Sequence, residues 1–321
     1  MNRTVTWALA GGTILAAAVA LLSIRPVPLA AATPAADAAQ GTIRVQVNQV
    51  SLFATARDKK TRKIIGDLEQ SDFKVTEDST EQKIASFSRE TNLPITLGLL
   101  IDTSGSEEGA LGAEQEAAIR FLDRVLRKGD LAMVISFDSD ADLLSSLTDD
   151  RQMLDRAIRR SRIAGASVRG AVGGDPPGTV FYDAVYLACH DRLAQEAGRK
   201  ALVILTDAQD NGSRMKIQDA IEAAQRTDTV VHVLLISQGF ANEGAAKKLT
   251  DETGGRTVVV RSEKNLEQAF DQISEELRSQ YSLGYYSTNT ALDGSYRKLK
   301  VESTRKDVEI LSRRGYYAPT N

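Results

Sequence analysis

Four nearly unbroken apolar runs, each the length of a single strand, constrain this chain more than any other feature. They are residues 95–101, 131–137, 201–205 and 230–236. Strands apolar on both faces belong inside a parallel sheet whose two sides are covered by helices. The intervening and following segments carry the apolar spacing of amphipathic helices, at 112–127, 149–161, 182–196, 215–226, 243–253 and 266–278. Strands alternating with helices of that length predict an α/β fold with a doubly wound, mostly parallel sheet. The run 141–147 follows its predecessor too closely for a crossover helix and is expected as an antiparallel edge strand.

Both ends of the chain read differently. Residues 42–56 alternate apolar and polar positions as one or two strands would, and 72–77 and 82–88 read as two more, joined by a polar turn at 78–81. The tail returns to strand patterns at 281–286, 296–302, 308–312 and 315–318. No residues follow to cover these strands. They are therefore expected to pair with the N-terminal ones, making one small β module from 42–92 and 281–321. The C-terminal tyrosines are expected in its core and edges.

Ahead of this lies a positive start at Arg3, an apolar run from Trp7 to Ile24, and a stretch of Pro and small residues ending near Ala32. That layout predicts a secretory signal peptide over 1–32, or an uncleaved anchor through 7–24, with 33–41 as a linker. Either way the remainder is expected outside the cytoplasm, in the periplasm or cell envelope or secreted. The formal charge of −3 and the lack of a basic stripe argue against nucleic-acid binding. The one cysteine, Cys189, excludes an internal disulfide and falls on the apolar stripe of a helix, as an inert buried thiol.

Ligands of an open α/β sheet gather at the carboxyl ends of its strands. Just past the first apolar run stand Asp102, Ser104 and Ser106 in an Asp-x-Ser-x-Ser pattern, and just past the third stands Asp207. Between them, ahead of a helix, comes Thr179 in a Gly-Thr-x-x-x-Asp element ending at Asp183. Three loops at one sheet edge thus offer two carboxylates and three hydroxyls, a donor set suited to a small hard cation such as Mg²⁺ or Mn²⁺. The hydroxyls can bind directly, with the carboxylates direct or through water.

This constellation, in this chain order, resembles the metal-ion-dependent adhesion site of von Willebrand factor type A domains, over about residues 93–280. The resemblance implies a metal held by Asp102, Ser104, Ser106, Thr179 and Asp207. The flanks resemble more narrowly the acidobacterial group of exported type A-domain proteins. Two departures from the usual pattern stand out. Glu107 and Glu108 stand where an apolar or small residue is commoner, and can tighten the metal or repel an acidic partner. Ala208 stands where a glycine is commoner and would stiffen its loop.

The function expected is divalent-cation-dependent protein binding or adhesion, a partner's carboxylate completing the metal coordination. In many such domains the last helix shifts when the site fills; here that would be 263–278. The alternative is a scaffold component of an envelope assembly whose metal only stabilises it. No enzymatic role is expected. Ser104 lies outside a Gly-x-Ser-x-Gly elbow. His190 falls on a helix, and His232 lies in a buried strand as a satisfied core residue. The Gly-rich 165–178 lacks a P-loop ending and reads as a rim of the metal face.

Overall fold

A computed structural model describes residues 49–90, 93–163, 178–236 and 241–320. The signal-like segment, the linker and most of the Gly-rich stretch lie outside the described residues.

The doubly wound sheet expected from the sequence forms. Six strands run in the order β10-β9-β8-β5-β6-β7, comprising Thr257–Val260, Thr229–Ile236, Arg199–Thr206, Ile95–Asp102, Leu131–Phe137 and Ala141–Thr148. All neighbours are parallel except β7, which pairs antiparallel with β6 at one edge. Every residue of β5 and β9 is buried, as continuous apolar runs at the centre of a two-sided sheet must be. The opposite edge strand, β10, was missed from the sequence. It has four residues, mostly half-buried, too few to show a period or a continuous apolar run.

Helices cover both faces. Residues of α1 (Leu111–Val125), α2 (Arg151–Arg160) and α6 (Glu263–Leu277) close one apolar layer, where Phe121 of α1 stacks on Phe270 of α6. Those of α3 (Phe181–Leu187), α4 (Ile217–Arg226) and α5 (Glu243–Thr253) close the other. The helix predicted over 182–196 is α3 followed by a π-helical turn at Ala188–Leu193. Cys189 in that turn is fully buried, and burial pushes its thiol up to about 12.

The two chain ends build a sandwich of two four-stranded sheets. One has the order β13-β1-β11-β4, from Val308–Ser312, Gln49–Asp58, Gln280–Tyr286 and Ile84–Glu90. The other has the order β14-β12-β2-β3, from Gly315–Tyr317, Tyr296–Ser303, Phe73–Glu77 and Thr80–Gln82. Each sheet mixes strands from both ends, and Leu52, Phe73, Val75, Tyr281, Tyr285 and Val301 share the core between them. The run read as one strand over 82–88 is divided at Lys83, with β3 in one sheet and β4 in the other. Asp78 and Ser79 make the β2–β3 turn with φ of 44° and 71°, the paired left-handed conformation a two-residue hairpin favours.

Where the sandwich meets the α/β layers the backbones touch. Gly254, just past α5, has φ of 84°, and a Cβ there would lie 2.6 Å from backbone atoms of Ser312 and Arg313. His232 departs from its expected state. It is 2% exposed in β9, yet neither ring nitrogen has a hydrogen-bond partner among the described residues.

Candidate metal centre

Asp102 ends β5 and Asp207 follows β8, two adjacent parallel strands. From β5 the chain winds outward through β6 and β7, then returns to β8 on the other side. The two aspartates therefore flank the topological switch point, where an open sheet leaves a crevice at its carboxyl edge. The register pairs Ile101 with Leu205, which puts Thr206 beside Asp102.

Asp102 is held by its own loop and by the neighbouring strand, Asp207 by its own loop. Asp102 Oδ1 accepts from the Ser104 N–H at 2.9 Å, and Oδ2 accepts from the Thr206 hydroxyl at 2.6 Å. Asp207 Oδ1 accepts from the Gln209 N–H at 2.9 Å. Two Asx turns thus face one another, each leaving its carboxylate oxygens further lone pairs for a ligand. A short turn at Gly105–Glu107 brings the Ser106 hydroxyl to 3.0 Å from that of Ser104.

The Thr179 loop joins through its backbone. The Asn211 and Gly212 N–H groups donate to the Thr179 carbonyl at 3.2 and 3.1 Å, and the Thr179 N–H donates to Asn211 Oδ1. A Cβ on Gly178 would lie 3.0 Å from the Asn211 carbonyl, so a glycine lets these loops close up. Asp210 accepts from the Tyr182 N–H at 2.9 Å, and Asp183 accepts from the Met215 N–H at 2.7 Å. These cross-loop carboxylates fix the rim; their roles had no signal in the sequence beyond their places in the quoted loops.

The electrostatics favour a cation. Asp102 is fully buried and Asp207 nearly so. Burial, helped by the charge of Asp207, raises the Asp102 carboxyl to about 6 against the pull of its hydrogen bonds. Carboxylate oxygens of Asp102, Asp207 and Glu107 lie within 4.8 Å of one another. Among the described residues no lysine or arginine forms an ion pair with any of the three. The oxygen-only donor set fits a hard divalent ion. Thr206 and the inward direction of Glu107 were not foreseen. Placement past a buried strand end could have flagged Thr206, but nothing in the sequence showed which way Glu107 points.

Comparison with known proteins agrees with this fold. Residues 97–209 match the family model of the von Willebrand factor type A domain. The bovine (Bos taurus) calcium-activated chloride channel regulator 1 is 28% identical over 185 residues. That stretch is 55% of this chain but 18% of the relative, so the chain spans well under two thirds of that protein's length. The solved von Willebrand factor type A protein from Catenulispora acidiphila aligns with a TM-score of 0.50 at 12% identity, over 80% of this chain and 75% of that one. Proximal thread matrix protein 1 from the mussel byssus, with a zinc-occupied MIDAS motif, also aligns at 0.50. Its identity is 14%, over 63% of this chain and 49% of that one. At such identities the structural matches establish the fold alone.

Proposed function

We propose that this chain, which carries a von Willebrand factor type A domain, binds a divalent cation at the Asp102–Asp207 rim and recognises a protein partner through it. Asp102, Ser104, Ser106, Thr179 and Asp207 would hold the ion, and a carboxylate of the partner would complete its coordination. The observation that carries the reading is the convergence of buried Asp102, Asp207 and Glu107 carboxylates without a basic ion-pair partner among the described residues. Buried carboxylates so close repel one another unless a cation or a shared proton sits among them, and the cation favours the fully ionised set.

The ion, when bound, supplies a positive Lewis-acidic point at the sheet's carboxyl edge. This chain's residues supply the rest: Thr206 and the Ser104 N–H orient Asp102, while Asp210 and Asn211 hold the Thr179 loop against the Asp207 loop. Magnesium or manganese suits hydroxyl and carboxylate donors. The zinc-occupied MIDAS motif of the mussel relative supports a divalent site. In this reading the centre binds and does not catalyse. His190 is exposed and bonded to Asp191, and His232 is inside β9.

We place the protein outside the cytoplasm on the apolar segment 7–24 and the small residues after it. Among the described residues no helix is long and apolar enough to cross a membrane.

Calorimetric titration of the full chain with Mg²⁺ and Mn²⁺, beside Asp102→Ala, tests the reading. Saturable binding lost in the variant is expected. Wild type that takes up neither ion would overturn it and favour a scaffold role built on the sandwich.

A further inference from the structure

The α/β sheet and the sandwich each present an edge strand to the same cleft. The Val233 N–H donates to the Arg256 carbonyl at 3.0 Å. By the alternation of a ladder, Val258 and Val260 also turn to β9, while Thr257 and Val259 turn their N–H and C=O groups outward. In the sandwich the Lys59 N–H donates to the Asp307 carbonyl at 2.9 Å, which turns Glu309 and Leu311 to β1 and Ile310 away from it. Thr257, Val259 and Ile310 line one cavity of about 510 Å³, walled by α5 and floored where Gly254 meets the Ser312 backbone. Among the described residues no backbone hydrogen bond reaches the outward groups of these three.

An open edge is a template for another strand, and proteins usually blunt it with charge, proline or irregular register. The far edge of the same sheet is treated in this way. Strand β7 has two register shifts against β6, and the Arg160 guanidinium donates to the Leu144 carbonyl. Strand β10 has none of these devices. Its sequence is Thr-Val-Val-Val, made of strong strand formers, and its outward residues are half-buried in the cleft.

Charge selects the occupant. Five basic side chains line the cleft against three acidic ones. Of those acids, Glu309 already accepts from both Arg57 and Arg62, and Asp251 is paired with Arg314. Lys247, exposed on α5, forms no ion pair among the described residues. Arg57 is 5% exposed, and only its Nε is bonded, to Glu309 at 2.8 Å; its terminal nitrogens have no bond among the described residues. A buried guanidinium with one of its five N–H donors in use calls for a further anionic acceptor.

We infer that this cleft takes an extended, acidic segment of a partner protein as a seventh strand beside β10. The segment's main chain bonds Thr257 and Val259, and its carboxylates meet Arg57, Arg62 and Lys247. In strand addition the main-chain bonds give affinity and alternate side chains give specificity. None of Asp102, Ser104, Ser106, Thr179 and Asp207 lines the cleft, so recognition here needs no metal.

Fluorescence anisotropy of the full chain in EDTA, with a labelled Val-Glu repeat of roughly eight residues, tests the inference. Saturable binding is expected, at least ~10-fold tighter than that of the matching Val-Lys repeat. It should be lost with a Val-Glu repeat whose backbone nitrogens are all methylated. Lys247→Glu, at an exposed site, should weaken binding roughly 5-fold. Val259→Pro, which removes an outward N–H and no bond to β9, should weaken it as well. No saturable binding by wild type, equal affinity for the two repeats, binding that survives methylation, or wild-type affinity in Lys247→Glu would each overturn the inference.

Discussion

The hydroxyl of Thr206 donates a 2.6 Å hydrogen bond to Oδ2 of Asp102 across the β5–β8 pair, and the same hydroxyl oxygen accepts from the Ala208 N–H at 2.9 Å. One fully buried side chain thereby orients the central carboxylate and anchors the loop that carries Asp207. Thr206→Val keeps the shape and removes both bonds. Partners of this kind, acting behind the ligands, typically change metal affinity 10–100-fold. The variant should bind Mg²⁺ at least ~10-fold more weakly and lose about 1–3 kcal/mol of stability through the stranded N–H. Unchanged affinity in calorimetry would show that Asp102 needs no such orientation.

Ala208 explains its own rarity. Its φ is 59°, in the left-handed region, and it is fully buried. Relief of that conformation in Ala208→Gly is worth roughly 1–2 kcal/mol, while losing a buried methyl costs about 0.8 kcal/mol. The opposed effects should leave the urea midpoint nearly unmoved. Ala208→Val adds a branched side chain at positive φ inside a packed layer, and should destabilise by about 2 kcal/mol or more. Equal midpoints for the valine and glycine variants would count against the left-handed loop.

These loops show where sequence reading reaches and where it stops. The α/β layers were legible because β5, β6, β8 and β9 are long and buried on both faces, so their apolar runs are nearly unbroken. Strand β10 was not, because four half-buried residues carry no periodicity. The rim aspartates were legible because one ends a buried strand and the other directly follows one. Glu107 was legible only as a departure from pattern: its inward turn depends on the 105–107 backbone, and its neighbour Glu114 looked like any glutamate in a helix's first turn. Sheet membership at 82–88 was beyond pattern too, since Gln82 is buried by bonds to Thr288, over two hundred residues away.

Gly254 is a point of close backbone approach between sandwich and α/β layers. It caps α5, its N–H donating to the Thr250 carbonyl, at φ of 84°. In Gly254→Ala the left-handed conformation costs about 1–2 kcal/mol. The new Cβ would also stand 2.6 Å from backbone atoms of Ser312 and Arg313, which cannot rotate aside as a side-chain tip can. Overpacking of that kind adds about 1–3 kcal/mol. A loss of at least 2 kcal/mol in urea unfolding is expected, together with faster proteolysis near residues 312–314. A loss below about 1 kcal/mol would mean that the two parts are not held at this point.

His232 sets an acid limit on the fold. Burial first, and then the charge of Arg256, lowers its imidazole to about 3, while Glu276 Oε2 stands 3.8 Å from Nδ1 without a hydrogen bond. Unfolded, a histidine takes up its proton near 6.5. Between pH 6.5 and 3 the unfolded chain therefore binds more protons than the folded one, and this residue's contribution falls as pH falls. Glu276 acts with the opposite sign: burial raises its carboxyl, partly offset by Arg256, so its contribution is complete at acid pH and is lost as pH rises through its folded value. His232→Leu removes the first effect and two unpartnered nitrogens. It should match or exceed wild-type stability at pH 7. Its advantage should then widen by up to about 1.4 kcal/mol per pH unit as pH drops from 6.5 toward 4. Denaturant midpoints of both proteins at pH 7, 6, 5 and 4 measure that gap. A gap that stays constant would mean that His232 keeps its proton in the fold, as an ion pair with Glu276.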